Sequence, residues 1–252
     1  MNVLIRGICG KMGTNIYELL KDDETATVVC GVDLAKKELP VPVYTSFNEV
    51  TEDVDVIIDF SSPDCLEEVL LFAECRKCAI VLGTTGYSEA DLRRIEMASK
   101  RIPVFKTANL SVGVNLMEHL VREAAAFLGD KFDIEIIEKH HNLKKDAPSG
   151  TALMLAKAVQ DGREHSLTEV YGREGQVGAR KQSELGIHAV RGGTIVGEHE
   201  VMFAGEDEII TLSHSARSKR VFAAGALKAA SFMKGKPAGR YDMKNVIDGM
   251  KK

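Results

Sequence analysis

Five short apolar runs in the first 105 residues, mostly separated by helical patterns, leave this chain little freedom of fold. They are Asn2–Gly7, Thr27–Val32, Val54–Phe60, Ala79–Leu82 and Ile102–Phe105. The run Val54–Phe60, VDVIIDF, is almost continuously apolar, as in a parallel strand covered on both faces. Between the runs the period lengthens to that of a helix. Ile16, Leu19 and Leu20 mark a helix over Lys11–Leu20, and Ser88–Ser99 carries another. Pro63 opens a third at its favoured early position, with Leu66, Val69, Leu70 and Ala73 as its apolar face. Strand and helix alternating in this way predict an open, Rossmann-like parallel α/β sheet.

After Asn109 the rhythm changes. Val112–Leu128 predicts one long helix. Ile134, Ile136 and Ile137 read as a strand, and a helical pattern through Leu153, Leu155, Ala156 and Val159 follows. Gly162–Gly186 shows no periodicity. Beyond it, Ile187–Val190, Thr194–Val196, His199–Phe203 and Glu208–Leu212 have β character, punctuated by Gly192, Gly193, Gly197 and Gly205. This predicts a smaller α+β domain with a mainly antiparallel sheet. The expected division is a dinucleotide-binding domain over 1–111, rejoined by the helices of 218–252, and a substrate-binding and oligomerisation domain over 112–217.

The first turn carries a nucleotide signal. Gly7-Ile8-Cys9-Gly10-Lys11-Met12-Gly13 joins the first strand to the first helix as GxxGxxG, with Cys9 where the commoner motif has its middle glycine. Such a turn brings backbone and helix N-terminus up to a pyrophosphate. Asp33 lies 20 residues beyond Gly13, at the end of the second strand, where a carboxylate accepts hydrogen bonds from a ribose. It repels a 2′-phosphate, which favours NADH. Lys36 and Lys37 stand close enough in sequence to admit NADPH. Gly83-Thr84-Thr85 and Thr107-Ala108-Asn109-Leu110 end the fourth and fifth strands, on the side where such sheets bind ligands.

The chemistry concentrates in Glu135–Leu155, EIIEKHHNLKKDAPSGTALML. His140 and His141 are adjacent, so in a strand they face opposite ways, a poor arrangement for one metal. A zinc hydrolase is disfavoured, and no metal is expected. One histidine as proton exchanger and the other as hydrogen-bond donor fit better. Lys139, Lys144 and Lys145 surround them with positive charge, and Lys144 is a second candidate for anion pairing or proton transfer. Ser149, Gly150 and Thr151 follow Pro148 at a helix start, a seat for a carboxylate. Asp146 is expected to hold the turn. A small dicarboxylate would satisfy the set.

The run E-x-HHxxKxDxPSGTA resembles the signature of the 4-hydroxy-tetrahydrodipicolinate (dihydrodipicolinate) reductases. Similar segments occur in family order at GxxGxMG (Gly7–Gly13), IDFSSP (Ile58–Pro63), GTTGY (Gly83–Tyr87), ANLSVGVN (Ala108–Asn115) and GxIVGEHxVxF (Gly193–Phe203). The resemblance implies His140 as catalytic acid/base, Lys144 as proton donor, His141 as a substrate contact, and Gly150 and Thr151 as the carboxylate site. It also implies NADH or NADPH as hydride source, a place in lysine and diaminopimelate synthesis, and a homotetramer built through the sheets of the second domain. In one place the chain departs from the pattern. Lys219 stands between Arg217 and Arg220 where the family usually has arginine.

Other classes fit less well. A dehydrogenase of another amino-acid pathway, such as a homoserine dehydrogenase, does not call for PSGT after a double histidine. An NADH-sensing regulator has no use for His140 and Lys144. A net charge of −4 and no helix-turn-helix argue against nucleic acid. No apolar run approaches the length of a membrane span, and the N-terminus lacks signal-peptide zones, so a cytoplasmic enzyme is expected. Five cysteines without secretory signals do not make a disulfide framework, and the lone Cys75–Cys78 pair lacks the partners of a zinc site.

Overall fold

The N-terminal strands assemble into one parallel sheet. The structure, a computed structural model, describes residues 1–35 and 37–250; Lys36 lies outside it. Two units divide the chain, Met1–Ser111 with the segment from Lys219 onward, and Val112–Ser218. In the first unit β1 (Asn2–Arg6), α1 (Lys11–Leu20), β2 (Thr27–Val32), β3 (Val43–Tyr44), β4 (Val56–Asp59), α2 (Leu66–Arg76), β5 (Ala79–Leu82), α3 (Glu89–Ser99) and β6 (Pro103–Lys106) follow in order. The second unit holds α4 (Val112–Leu128), β7 (Asp133–His140), α5 (Gly150–Gly162), β8 (Thr168–Tyr171), β9 (Glu184–Arg191), β10 (Gly197–Ala204) and β11 (Ile209–Ala216). The chain then returns to the first unit with α6 (Arg220–Met233), β12 (Gly239–Tyr241) and α7 (Met243–Met250).

The first sheet has the order β12-β6-β5-β4-β1-β2-β3, and every pairing is parallel. The order reverses between β1 and β4, which opens a crevice at their carboxyl ends. Leu4, Ile57, Ile80 and Val104 pack into one core with Leu66, Val69, Ala73, Ile95 and Ala98 from α2 and α3. Each fully buried branched side chain contributes about 1.5–3 kcal/mol. The helix α6 buries a row of small residues, Ala223, Gly225, Ala226, Ala229 and Ala230. They let its backbone come so close that a Cβ on Gly225 would lie 1.8 Å from the Leu110 carbonyl oxygen. In this sheet two strands, β3 and β12, show no periodicity in the sequence, because runs of two and three residues are too short to show alternation. Pro63 opens a single 3₁₀ turn to Cys65 that leads into α2.

The second sheet is mixed. Its order is β11-β10-β7-β9-β8; β11–β10 and β10–β7 are antiparallel, β7–β9 and β8–β9 parallel. The expectation of a mainly antiparallel sheet thus holds for half of its pairings. The parallel half needs long crossovers, supplied by α5 and by the loop 172–183, within the segment that showed no periodicity. Thr194–Val196, read as β, lies in the turn before β10. The loop 172–183 is held down by Arg173 and Arg180, which reach Glu135 at 2.9–3.1 Å, while His188 Nε2 meets the same carboxylate at 2.7 Å. Burial alone would raise the Glu135 pKa, but these three partners pull it down to about 2.

Strand parity sets what faces the core of this unit. Along β7 burial alternates strictly, with Ile134, Ile136, Glu138 and His140 inward. Gly197, His199, Val201 and Phe203 do the same along β10. The apolar members of both sets pack against α4 and α5. Lys139 points the other way and pairs with Glu198 at 3.3 Å.

Candidate active site

The crevice of the first sheet begins where β1 ends. Gly7 turns the chain with φ +81° and donates its N–H to the Val32 carbonyl at 2.8 Å. A Cβ at Gly13 would lie 2.1 Å from the Gly7 oxygen, so only glycine lets α1 start this close to the turn. Gly10 caps α1 with no side-chain hydrogen bond. The first-turn amides of Lys11 and Met12 therefore form a cradle for an anion. Cys9 and Asp33 are joined: the Cys9 N–H donates to Asp33 Oδ2 at 2.9 Å, and Ala35 N–H to Oδ1 at 3.3 Å. The Cys9 amide is thus spent in fixing the carboxylate, not free for a phosphate. Ile8 is fully buried, filling the space that a side chain at Gly31 would need, and leaves only its backbone for binding.

On the far side of the crevice sits a buried carboxylate that the sequence reading passed over. Asp59, at the end of β4, accepts from Ser61 Oγ (2.5 Å), Thr84 Oγ1 (2.9 Å) and Tyr87 OH (3.4 Å). Burial raises the Asp59 pKa, which Ser61, Thr84 and Arg6 oppose. Thr84 also accepts the Ser61 N–H at 3.0 Å, so its hydroxyl is used in joining two turns. Gly83 has room for no side chain: an added Cβ would lie 2.4 Å from the Phe60 ring. Thr85 and Ala108 are exposed at the same strand ends, whereas Leu110 is buried. Thr107 Oγ1 donates to the Asn109 carbonyl (3.2 Å), and Asn109 Oδ1 accepts the Ser111 N–H (2.8 Å), a self-bonded turn. Leu34 and Lys37 are exposed beside Asp33.

In the second unit a buried histidine–carboxylate cluster is built on β7. His140 is its last residue, 9% exposed. Its Nδ1 lies 2.6 Å from Oε2 of Glu138, which is fully buried. Glu138 also takes both guanidinium nitrogens of Arg191 at 2.8 Å and the Ser149 N–H at 2.9 Å. Burial alone would raise the Glu138 pKa; Arg191, His140 and the Ser149 amide hold it below the usual carboxylate range. His199 packs edge-on to His140, ring centroids 5.2 Å apart, and its Nε2 meets Ser149 Oγ at 3.0 Å. Burial and the neighbouring His140 push the His199 pKa down to about 4, so it is neutral at pH 7.

The structure draws some expected residues together and turns others away. His141, just past the strand, keeps a buried Nδ1 with no partner among the described residues. Lys144 is paired with Asp146 at 2.8 and 2.9 Å, which confirms Asp146 as the residue holding the turn and leaves Lys144 tethered rather than free. Ser149 corrects the expectation of a three-residue seat. Its N–H goes to Glu138 and its hydroxyl to His199 and the Ala152 N–H, so it builds the start of α5 from within. Gly150 is exposed, and a Cβ there would meet nothing within 4 Å. Gly150 and Thr151 present the first-turn amides. Arg217, Lys219 and Arg220 are exposed. Glu138, Arg191, Gly197 and His199 were not singled out as site residues. The signal for Glu138 was available, since it shares the inward parity of Ile134, Ile136 and His140.

Comparison with known proteins settles the family. A family model described as dihydrodipicolinate reductase, N-terminus, matches residues 1–110, and its C-terminus counterpart matches 113–247. The chain belongs to the dihydrodipicolinate reductase family. It is 50% identical over 247 residues to the 4-hydroxy-tetrahydrodipicolinate reductase of Caldanaerobacter subterraneus subsp. tengcongensis, covering 98% of each chain. To that of Clostridium novyi it is 46% identical, covering 97% of each. Among solved structures, the dipicolinate-bound dihydrodipicolinate reductase of Paenisporosarcina sp. TG-14 matches with a TM-score of 0.81 and 27% identity, over 97% of this chain and 98% of that one.

Proposed function

We propose that the chain is a 4-hydroxy-tetrahydrodipicolinate reductase: it reduces the 4-hydroxy compound to tetrahydrodipicolinate, with loss of water, using NAD(P)H, in the diaminopimelate route to lysine. Family membership supports the reaction class. The observation that carries the reading is the pairing of a buried histidine–carboxylate dyad with a helix N-terminus one residue beyond Ser149. A proton source beside an anion seat is what reduction of a dicarboxylate requires. Bound NAD(P)H supplies the hydride. His140 donates a proton from Nε2, because Nδ1 is committed to Glu138. Lys144 serves as the second proton source, tethered by Asp146. Gly150 and Thr151 seat one carboxylate, and His141 contacts the substrate.

The first unit is read as the dinucleotide domain. The turn Gly7–Met12 faces the pyrophosphate through the first-turn amides of Lys11 and Met12, with Asp33 toward the ribose, and its carboxylate selects NADH over NADPH. The turns Gly83–Thr85 and Thr107–Leu110 line the remainder. Val112–Ser218 is read as the substrate and assembly domain, forming a homotetramer through the open face of its sheet, where Ile137 and Met202 are only half-buried. As part of this proposal the enzyme works in the cytoplasm; no helix among the described residues is long and apolar enough to cross a membrane. The test is oxidation of NADH or NADPH, followed by absorbance, with the condensation product of pyruvate and aspartate semialdehyde as substrate. Oxidation only when that product is supplied is expected; none with either nucleotide would sink the proposal. His140→Gln or Lys144→Ala is expected to lower turnover by about 10²–10⁴-fold, and full turnover in both would reassign the roles.

A further inference from the structure

Glu138 makes four hydrogen bonds, to three elements of the second unit. Oε2 meets His140 Nδ1 at 2.6 Å and Arg191 Nη1 at 2.8 Å, while Oε1 meets Arg191 Nη2 at 2.8 Å and the Ser149 N–H at 2.9 Å. Arg191 also donates to the Asp146 carbonyl at 2.7 Å, so the same guanidinium holds the turn that carries Lys144. A carboxylate this deep is retained only when its lone pairs are filled. Here His140 has its own role in the site, Ser149 directly precedes Gly150, and Arg191 holds the turn that carries Lys144.

An ionised carboxylate can only accept, so the short contact requires the proton on His140 Nδ1. The exchangeable position is then Nε2. That atom faces Gly197, where an added Cβ would sit 3.1 Å from it. The neighbouring strand β10 thus leaves a gap beside Nε2, while Glu138 occupies the other nitrogen. At the same time the Ser149 N–H, one residue before Gly150, is drawn onto the same carboxylate. Ring orientation and helix start are therefore fixed from one point.

We propose that Glu138, clamped by Arg191, is a positioning residue that sets the tautomer and orientation of His140 and, through the Ser149 amide, the placing of the Gly150–Thr151 seat together. The inference rests on the reading of His140 as proton donor, and the experiment separates the two. Glu138→Gln keeps volume and one acceptor oxygen but brings an N–H₂ group. With Arg191 and the Ser149 amide demanding acceptors, that amide nitrogen turns to His140 and forces the opposite tautomer. Wild type, Glu138→Gln, His140→Gln and the double variant are compared by kcat and by the Kd for dipicolinate as a dicarboxylate probe.

Glu138→Gln is expected to lower kcat by about 10²-fold, as when a histidine loses its orienting carboxylate, and to weaken dipicolinate binding. On the His140→Gln background the further loss in kcat is expected to be less than about threefold, since groups acting as one unit are not additive. The same loss in both backgrounds would mean general disruption and overturn the proposal, as would wild-type kcat and Kd in Glu138→Gln. If His140→Gln itself turns over normally, the donor reading falls and this inference with it. If His140→Gln is impaired and Glu138→Gln is not, only the inference falls. Should Glu138→Gln fail to fold, the ¹⁵N imidazole spectrum of the wild-type protein decides. Nδ1 as the protonated nitrogen of neutral His140 supports the proposal, and Nε2 overturns it.

Discussion

Removing the Arg191 fork should destabilise the second unit, and by an amount that depends on pH. In Arg191→Met, Glu138 loses two contacts of 2.8 Å and its only counter-ion of fixed charge among the described residues, while remaining fully buried. Breaking a buried ion pair from one side costs about 3–5 kcal/mol. The Arg191 side chain is 20% exposed, and Glu138 keeps its bonds to His140 and Ser149, so about 2–4 kcal/mol is the working figure here. For a chain of this size that corresponds to a fall in Tm of about 4–16 °C at pH 7.

The sign with pH follows from the lowered Glu138 pKa. A depressed folded-state value means that pairing contributes stability above the unfolded pKa of about 4.3 and loses it as pH falls through the folded value. The gap between wild type and Arg191→Met should therefore be widest at neutral pH and close as Glu138 protonates. Scanning calorimetry of both proteins at pH 7 and at several values down to pH 4 measures it. Arg191→Lys, which keeps the charge but not the fork, should fall between. A shift under about 2 °C at pH 7, or a gap that stays constant with pH, would refute the reasoning.

Gly13→Ala should weaken NADH binding at least tenfold by fluorescence titration, because its Cβ would stand 2.1 Å from the Gly7 oxygen and push α1 off the turn; unchanged binding would mean that α1 need not start there. Asp33→Ala should raise the NADPH/NADH ratio of kcat/KM by about tenfold or more, by removing like-charge repulsion, and an unchanged ratio would show that discrimination lies elsewhere. The loop 172–183 should become protease-sensitive in acid. Glu135, whose pKa is held down to about 2, contributes its clamp above the unfolded value and loses it as pH falls toward 2, and Glu135→Gln should show the same nicking already at pH 7. Equal resistance of Glu135→Gln and wild type at pH 7 would count against the clamp.

Much of the first unit was legible because its code is local. A parallel strand buried on both faces must be apolar along its length, and a helix between such strands must repeat near 3.6, so β1, β2, β4, β5 and β6 announced themselves. The glycine turn was equally plain, since Gly7 and Gly13 stand where no Cβ fits. The strands β3, β8 and β12 were not, being two to four residues long and defined by the neighbour that completes their hydrogen bonds. The parallel pairings of β9 followed from where α5 and the loop 172–183 led the chain.

In the candidate site the division is the same. His140, His141, Lys144 and Ser149–Thr151 lie within 12 residues, and their chemistry could be read from that stretch alone. What holds them comes from afar: Arg191 and His199 lie 53 and 50 residues from the partners they bind, Glu138 and Ser149. Residue order carries type and parity, so it foretold that Glu138 and His140 share a face if β7 is a strand. Only tertiary structure could bring β9 and β10 alongside, turn the Ser149 amide inward, and make one buried carboxylate the common partner of His140 and the start of α5. Hydrogen bonds over such separations depend on strand pairing, which no local pattern of side chains specifies.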